Sequence, residues 1–274
     1  MAKTASERHR RSLVAGLRAK GVITSPRVEA AIRSVARESF LPELLADGGL
    51  KAVYRDDAIV TKRDGQGLPL SSSSQPALMA KMLELLDVQP GDRVLEIGAG
   101  TGYNAALLAH LAGPSGRITS IDIDADLARR ARRSLRDTGV RATIVAGDGR
   151  DGHPPQAPYD RVIATAAADE IPRAWLQQLA ERGRVELPLR LDPERGAIQL
   201  IPVLERRAIS CSQSGSPGAA SCHYTAATAA GDHHPPRSAP STRPTVSTCS
   251  LRRSAAVELD NSPAWSRDAC SSLS

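Results

Sequence analysis

The chain has 274 residues, 41% of them hydrophobic but only 3% aromatic, and its formal net charge is +6. This length accommodates one large domain or two small ones around an aliphatic core. No apolar run approaches the roughly 20 residues that a membrane span needs, and no apolar signal segment follows the basic start of the chain. These features exclude an integral membrane protein and predict a cytoplasmic one.

The first part of the chain, residues 1–75, is predicted to be a helical and loop region. Apolar residues at helical spacing predict one helix over residues 6–21. Thr24-Ser25-Pro26 marks the start of a second helix, which closes by Pro42.

Residues 54–60 are then expected to be extended, and residues 61–69 to form a loop. A run of serines leads into a helix over residues 76–86. Ser74 is its predicted N-cap and Pro76 its first helical residue, because serine side chains accept bonds from the first free N–H groups and proline tolerates that position.

Strand-like and helical patterns alternate from Asp92 onward, within a predicted main domain over residues 76–205. The predicted strands cover residues 93–97, 117–121, 142–146, 161–165 and 184–189. Such alternation predicts the α/β class, with a doubly wound, mostly parallel sheet and helices on both faces. Residues 199–204 are expected to form a further strand, in a hairpin with the one before it.

The composition changes abruptly beyond Glu205. Residues 206–274 are rich in Ser, Ala, Thr, Pro and Arg and lack sustained apolar periodicity. Because such a composition cannot offset the ordering entropy of a fold, we predict a disordered, low-complexity tail. Translation in a shifted reading frame is an open alternative. All four cysteines lie here and none forms a C-x-x-C pair, so we predict no metal site.

The basic charge balance raises nucleic acid as a partner. Arginines cluster at His9-Arg10-Arg11 and again over residues 129–136. The second cluster lies on a predicted helix that begins near Asp124, where the arginines cover the solvent faces. Because no aromatic residues alternate with either cluster, we expect neither a nucleic-acid nor a membrane partner.

A glycine-rich turn stands between a predicted strand and a predicted helix, at residues 94–103 (Val-Leu-Glu-Ile-Gly-Ala-Gly-Thr-Gly-Tyr). Glycines let the backbone approach a ligand closely, and the free N–H groups of the helix face its polar end. Tyr103 stands where a dinucleotide fingerprint needs its third glycine, which disfavours NAD. The next predicted strand ends at Asp122, roughly 20 residues on, where this fold places a carboxylate for ribose hydroxyls.

An acid followed by Gly-x-Gly-x-Gly resembles motif I of S-adenosylmethionine-dependent methyltransferases. Three further stretches extend the likeness. Residues 28–42 are similar to "R-V-x-x-A-x-x-x-V-x-R-x-x-F-x-P", residues 72–76 stand where Thr-Ile-Ser-Gln-Pro is expected, and residues 160–172 match "F-D-R-I-I-V-T-A-A" and "E-I-P". From about Leu13 to Leu204 the chain therefore resembles the protein-L-isoaspartate O-methyltransferase family.

The resemblance implies a Rossmann-like methyltransferase fold and S-adenosyl-L-methionine as the cofactor. It implies methylation of a carboxylate on L-isoaspartyl residues of damaged proteins or peptides, a repair reaction, with the substrate loop in residues 1–75. Ser74 matches the family's active-site serine, and Ser72, Ser73 and Gln75 are implied to bind the substrate. The implied cofactor-binding residues are Glu96, Gly98, Gly100 and Gly102 at the methionine end, Asp122 at the ribose and Asp148 beside the adenine.

The segment between Tyr54-Arg55-Asp56 and the serines departs from the family. Residues 58–70 are longer by several residues and lack the family's Pro-Leu-Pro-Ile-Gly, over a stretch that covers the substrate site in the family. The longer segment resembles relatives that methylate ribosomally made peptides in actinobacteria. Peptide tailoring therefore stays an alternative function, as does a non-catalytic adaptor that binds cofactor or peptide. A nucleic-acid amino-methyltransferase would need Asn/Asp-Pro-Pro-aromatic where Thr165-Ala166-Ala167-Ala168 stands.

Overall fold

The N-terminal region is helical, as predicted. The computed structural model describes residues 4–190, 199–207 and 223–226. Its first elements are α1 (Ala5–Ala19), α2 (Pro26–Ser34), a 3-10 turn (Arg37–Phe40) and α3 (Pro42–Val53). Thr4 and Glu7 form a capping box at α1, and the Ser25 side chain accepts bonds at the start of α2, with Pro26 at its first position.

Helix α3 was not predicted from the sequence. It contains Gly48-Gly49, and Gly49 has a non-helical backbone (φ 66°), so two short helical pieces meet at a kink. Glycine pairs lower helix propensity, which hides the helical pattern on either side of them.

A β-hairpin follows α3, where the prediction was an extended piece and a loop. Its strands are β1 (Ile59–Arg63) and β2 (Pro69–Ser73), paired antiparallel. The Asp64 carboxylate closes the turn by accepting from the backbone N–H groups of Gln66 and Leu68, each at 2.8 Å. The loop predicted over residues 61–69 is therefore confirmed only for residues 64–68 and is wrong for residues 61–63 and 69, which belong to the strands. These polar strands carry no alternating apolar pattern, and the turn sets their pairing.

Helix α4 (Pro76–Leu86) has the predicted bounds, with Pro76 as its first residue. Its N-cap is Gln75, without a side-chain cap bond, so the prediction that Ser74 caps this helix is wrong. Ser74 instead belongs to the extended segment that follows β2, because Gln75 itself has the non-helical backbone of a cap.

The central sheet has seven strands in the order β11-β10-β7-β6-β3-β4-β5. Five are parallel, and they confirm the predicted α/β class. They are β3 (Arg93–Ile97), β4 (Arg117–Asp122), β5 (Thr143–Ala146), β6 (Tyr159–Ala164) and β7 (Leu179–Glu186). Strand β7 begins at Leu179 rather than residue 184. The sequence signal is broken there by Arg182, whose φ is 62°.

Helices cover both faces of the sheet, which makes it doubly wound. On one face α5 (Tyr103–Ala112), α6 (Ala125–Asp137), α4 and the N-terminal helices share a largely aliphatic core. On the other face α7 (Arg173–Gln178) packs its Trp175 against a second apolar cluster. None of the helices in residues 4–190 has both the length and the apolar character that a membrane span requires.

The predicted C-terminal hairpin is present in two pieces. β8 (Leu189–Arg190) pairs with β9 (Gln199–Leu200), and β10 (Val203–Arg207) pairs antiparallel with β7. Pro202 separates the pieces, because proline has no N–H for a strand ladder.

β11 (His223–Ala226) pairs with β10, so these residues form strands inside the range predicted to be disordered. The rest of that range, residues 208–222 and 227–274 with all four cysteines and the suggested frame shift, lies outside the described residues.

Candidate active site

The turn from β3 to α5 needs its glycines for close packing. Gly98 has φ 99°, and a Cβ there would lie 2.4 Å from the Thr165 hydroxyl, which donates to the Gly98 carbonyl at 2.9 Å. Gly102 has φ 86°, and a Cβ there would lie 3.3 Å from Ala131 of α6. The glycine loop (residues 98–102) is thus packed closely against Thr165 and Ala131. The absence of side chains leaves its backbone available to a ligand.

Asp122, the last residue of β4, ties this loop to the neighbouring strand. Its carboxylate accepts from the backbone N–H of Gly100 at 2.8 Å and from that of Asp124 at 3.0 Å. The side chain is only 8% exposed. Each carboxylate oxygen still has a second lone pair, so two vicinal hydroxyl groups can be bound at this edge of the sheet.

Glu96 points into the protein rather than toward a ligand. It is 0% exposed, with Oε1 accepting from Asn104 Nδ2 at 2.8 Å and Oε2 from the Ser120 hydroxyl at 2.5 Å. Burial raises the pKa of Glu96 to about 7, against the opposing effect of those two hydrogen bonds. As described, Glu96 joins α5 and β4 beneath the glycine loop and offers no exposed oxygen to a cofactor.

Asp148 follows β5 and sits at the same edge of the sheet. Its neighbour Gly149 lies so near β3 that a Cβ there would be 2.4 Å from the Ile97 side chain. The Asp148 carboxylate pairs with the Arg150 guanidinium at 2.6 Å, which lowers the pKa of Asp148. The carboxyl ends of β3, β4 and β5 therefore bring the glycine loop, Asp122 and Asp148 together.

The serine segment (residues 71–75) reaches this edge from the hairpin. The Ser71 hydroxyl lies 3.9 Å from the position that a Cβ on Gly100 would take. Ser73 is buried, and Ser72, Ser74 and Gln75 are half-buried. The fold thus brings the residues implied to bind substrate next to those implied to bind the cofactor, although they come from separate elements.

Asp56 holds the far end of the serine segment. Its backbone carbonyl accepts from the Gln75 side-chain amide at 3.0 Å, and its carboxylate accepts from the backbone N–H of Ala77 at 2.8 Å. Gln75 is therefore engaged by the protein, which makes it a support of Ser74 in this structure. The Tyr54-Arg55-Asp56 element and the start of α4 are joined by these contacts.

Lys62 anchors the hairpin over the carboxyl ends of β3, β4 and β5, here called the cofactor edge. Its ammonium group pairs with Asp124 and lies 3.8 Å from Asp126, both at the start of α6. Pairing with Lys62 lowers the pKa of Asp124. This contact ties the hairpin to the start of α6, directly after the end of β4.

Sequence reasoning assigned no site role to three residues near the serine segment, the hairpin and the end of β4, namely Arg37, Lys62 and Ile123. Ile123 is 71% exposed, and with Leu70 at 52% it makes up the exposed large apolar side chains within the described part of the chain. Ile123 had a readable signal, because it is an apolar residue directly after the acid that ends a strand. Arg37 had one too, because it is the arginine before Phe40 in the stretch that carries the family resemblance, although no site role was assigned to it. Lys62 had none, since its partners are distant in sequence.

The family model described as Protein-L-isoaspartate(D-aspartate) O-methyltransferase matches residues 8–215 of the chain. A protein-L-isoaspartate O-methyltransferase of Methanopyrus kandleri is 40% identical over 184 residues, which cover 66% of this chain and 77% of that one. One from Ignicoccus hospitalis is 39% identical over 188 residues, covering 68% and 84%.

Solved structures show the same likeness. A protein-L-isoaspartate O-methyltransferase with 35% identity superposes with a TM-score of 0.65, over 72% of this chain and 60% of that one. A Plasmodium falciparum structure, described as a beta-aspartate methyltransferase in complex with S-adenosyl-L-homocysteine, superposes with a TM-score of 0.58 at 18% identity, covering 74% and 90%. At that identity the second likeness shows the fold alone.

Proposed function

The chain belongs to the protein-L-isoaspartate(D-aspartate) O-methyltransferase family, and from this premise we infer that it methylates the free carboxylate of L-isoaspartyl residues in proteins or peptides. The observation that carries the proposal within the structure is the proximity of the serine segment to the glycine loop, where the Ser71 hydroxyl lies 3.9 Å from the position that a Cβ on Gly100 would take. An acceptor group held by the serines lies beside a cofactor held by the glycines.

The cofactor is S-adenosyl-L-methionine, and the residues present fit it. Bound there, it supplies a methyl group that an acceptor oxygen takes from the sulfonium, leaving S-adenosylhomocysteine and a methyl ester. We propose that the backbone at Gly98, Gly100 and Gly102 approaches its methionine end and that Asp122 accepts from its ribose hydroxyls. Asp148 would meet the amino edge of the adenine, and the exposed Ile123 offers an apolar surface to its face.

For Glu96 we propose an indirect role at the cofactor. The sequence predicts direct contact with the methionine end, but both carboxylate oxygens already accept from Asn104 and Ser120 in a fully buried position. A buried group of this kind supports the ligand through the elements it joins. Glu96 then keeps the first turn of α5, and with it the glycine loop, in place.

At the acceptor side we propose that Ser74 orients the carboxylate by donating a hydrogen bond. A carboxylate is ionised at neutral pH, so the reaction needs no strong general base. The protein must instead align the acceptor oxygen and remove water from it. The hairpin, which Lys62 ties to the start of α6, would help to exclude water from the acceptor in this arrangement.

The product fits a repair reaction. In an isoaspartyl residue the chain continues through the side-chain carboxyl group, which leaves the α-carboxylate free for methylation. The next backbone nitrogen can then attack the ester carbonyl and expel methanol, giving a succinimide that water partly reopens to normal aspartate. A cytoplasmic location and the absence of a nucleic-acid partner remain predictions, which fractionation and binding measurements would test.

One structural feature favours a second candidate function, the tailoring of a ribosomally made peptide. The segment that departs from the family in sequence forms the β1–β2 hairpin over the cofactor edge. A longer covering element of this kind favours a dedicated peptide partner. The adaptor alternative predicts cofactor binding without any methyl transfer.

The test is methyl transfer to two peptides that differ only in having isoaspartate or aspartate at one position. We expect ester formation on the isoaspartyl peptide alone, measured with labelled S-adenosylmethionine. Transfer to neither peptide, with the cofactor still bound, would move the assignment to peptide tailoring or to the adaptor.

The same assay tests the orienting role of Ser74. Ser74→Ala removes one polar contact to the acceptor, so the rate on the isoaspartyl peptide should fall roughly tenfold to a thousandfold. Ser115→Ala, in the exposed turn before β4, is the matched control. An unchanged rate in Ser74→Ala excludes the role.

A further inference from the structure

We propose that Arg37 is a positioning residue that makes the acceptor site selective for an ionised carboxylate over its neutral ester, through its buried charge. This inference rests on the proposed function and adds a selectivity element to that site. Arg37 lies in the 3-10 turn before α3, outside the residues that the sequence marks as a site.

Arg37 is packed directly behind the serine segment. One terminal guanidinium nitrogen donates to the Ser74 carbonyl at 3.2 Å and to the Ser73 hydroxyl at 3.4 Å, while the other donates to the Arg55 carbonyl at 3.3 Å. The central carbon of the guanidinium group lies 5.7 Å from the centre of the ring of Tyr103, the residue that directly follows the glycine loop. Arg37 therefore lies between the serine segment and the residue that follows the glycine loop.

No carboxylate among the described residues neutralises the charge of Arg37 by direct pairing. The side chain is 0% exposed, and among the described residues no carboxylate lies within ion-pair distance of it. The two acids that act on it from further away are already paired, Asp56 with Lys20 at 2.8 Å and Asp57 with Arg55 at 3.1 Å. Burial lowers the pKa of Arg37, but a guanidinium keeps its proton in proteins.

An unpaired buried cation is costly, and a fully buried nitrogen of Arg37, Nε, has no hydrogen-bond partner within the described residues. The ring of Tyr103 and the carbonyl groups offset part of that cost. An anion bound at Ser74 would offset more of this cost. It would be separated from Arg37 only by Ser74, which is hydrogen-bonded to the guanidinium group, in a medium of low dielectric constant. Arg37 would therefore favour the substrate carboxylate and release the neutral ester.

A purely structural role for Arg37 makes a different prediction. If it only holds the carbonyl groups of Ser74 and Arg55 in place, its loss weakens binding of any peptide at the site, whatever the charge of the acceptor group. Charge selectivity is therefore the measurement that separates the two roles.

The experiment measures dissociation constants of the full chain loaded with S-adenosylhomocysteine. The probes are an isoaspartyl peptide and the same peptide with that carboxylate replaced by a carboxamide. We expect the parent protein to prefer the carboxylate about tenfold to fiftyfold, the scale for one buried charge acting across an intermediate dielectric constant. Arg37→Met should reduce this preference to near one, mainly by weakening the carboxylate peptide.

Two variants serve as controls. Arg37→Lys keeps the charge but not the guanidinium fork, so it should retain the preference even if overall affinity drops. Arg33→Met removes an exposed arginine of α2 and should leave both affinities unchanged. Affinity for S-adenosylhomocysteine reports that each variant is folded.

The outcomes are decisive for each proposal separately. Equal weakening of both peptides by Arg37→Met, a parent preference near one, or loss of the preference in Arg37→Lys overturns the role of Arg37. If Arg37→Met does not fold, the parent and the Arg37→Lys variant still decide the question. The function itself fails if the parent protein esterifies no isoaspartyl peptide, and a parent that binds neither peptide overturns both proposals.

Discussion

Glu96 has two buried carboxylate oxygens, two protein donors and a pKa raised to about 7 by burial. In the unfolded chain its pKa is near the ordinary value, about 4.3. The folded protein thus holds a proton on Glu96 between these two values while the unfolded chain does not. The stability that this provides is complete below the unfolded pKa and is lost as pH rises through the folded pKa.

Glu96→Gln should therefore remove a pH-dependent contribution to stability. Because glutamine carries no charge, the variant should match the parent protein near pH 4.5 and exceed it by about 3 kcal/mol in free energy of unfolding at pH 8. The Ser120 hydroxyl can turn to accept from the new amide, which keeps both hydrogen bonds. Denaturant unfolding of both proteins across this pH range measures the difference.

The comparison with the parent also separates Glu96 from a second buried acid. Glu186 is 0% exposed, both of its carboxylate oxygens lack a hydrogen-bond partner within the described residues, and burial raises its pKa well above the ordinary value. It lies on the same row of the sheet, since Ile163 pairs with Glu96 on one side and Glu186 on the other. Glu186 titrates in the parent protein and in Glu96→Gln alike. If the free energy of unfolding of the two proteins changed with pH in parallel, the assignment to Glu96 would be contradicted.

Among the elements, the β1–β2 hairpin distinguishes this chain. It has little apolar surface of its own, with Leu70 exposed and four serines in or after its second strand. Isolated two-stranded hairpins are marginally stable in water, so contacts to the rest of the protein must hold it. Lys62 supplies one such contact, through Asp124 and Asp126.

Lys62→Met should loosen the hairpin over the cofactor edge. The pair is partly exposed, at 29% for Lys62 and 26% for Asp124, so its contribution is modest and sensitive to salt. We expect the affinity for S-adenosylmethionine to fall several-fold at low ionic strength and the difference from the parent protein to shrink near 1 M salt.

Lys51→Met provides the comparison for this variant, because Lys51 is an exposed lysine of α3 outside the hairpin. It should bind the cofactor like the parent protein at both salt concentrations. A loss in Lys62→Met that is independent of salt would mean that the alkyl chain, rather than the ion pair, holds the hairpin.

At the scale of the whole molecule, the proposed cofactor site lies at the carboxyl ends of β3, β4 and β5 of the seven-stranded sheet. Strands β10 and β11 extend the sheet on the opposite side, beyond β7 and β6. Residues proposed to bind the cofactor therefore lie several strands away from the C-terminal additions. We propose that the methyltransferase domain works without the residues that follow β11.

A chain ending at Ala226 should bind S-adenosylmethionine like the full chain and unfold at the same temperature. A chain ending at Arg207 should still bind the cofactor but unfold a few degrees lower, because β10 loses the four residue pairs that join it to β11. Those backbone bonds contribute about 1–2 kcal/mol net. Calorimetry and cofactor titration measure both effects, and loss of cofactor binding in the longer chain would place part of residues 227–274 in the working domain.

The sequence by itself determined the parts that depend on local pattern. The strand of Arg93–Ile97, the helix of Pro76–Leu86 and the α/β alternation were all predicted, because apolar periodicity, a leading proline and a glycine turn act over a few residues. The family resemblance rests on the same short stretches and was confirmed by the comparisons.

Only the tertiary structure decided which side chains meet. It folded residues 59–73 into a hairpin and placed Lys62 on the start of α6, 62 residues further along the chain. It turned Glu96 inward onto Asn104 and Ser120, and it buried Arg37 behind Ser73 and Ser74, where no carboxylate of the described residues pairs with it. These contacts depend on packing between distant segments, which local sequence patterns do not encode.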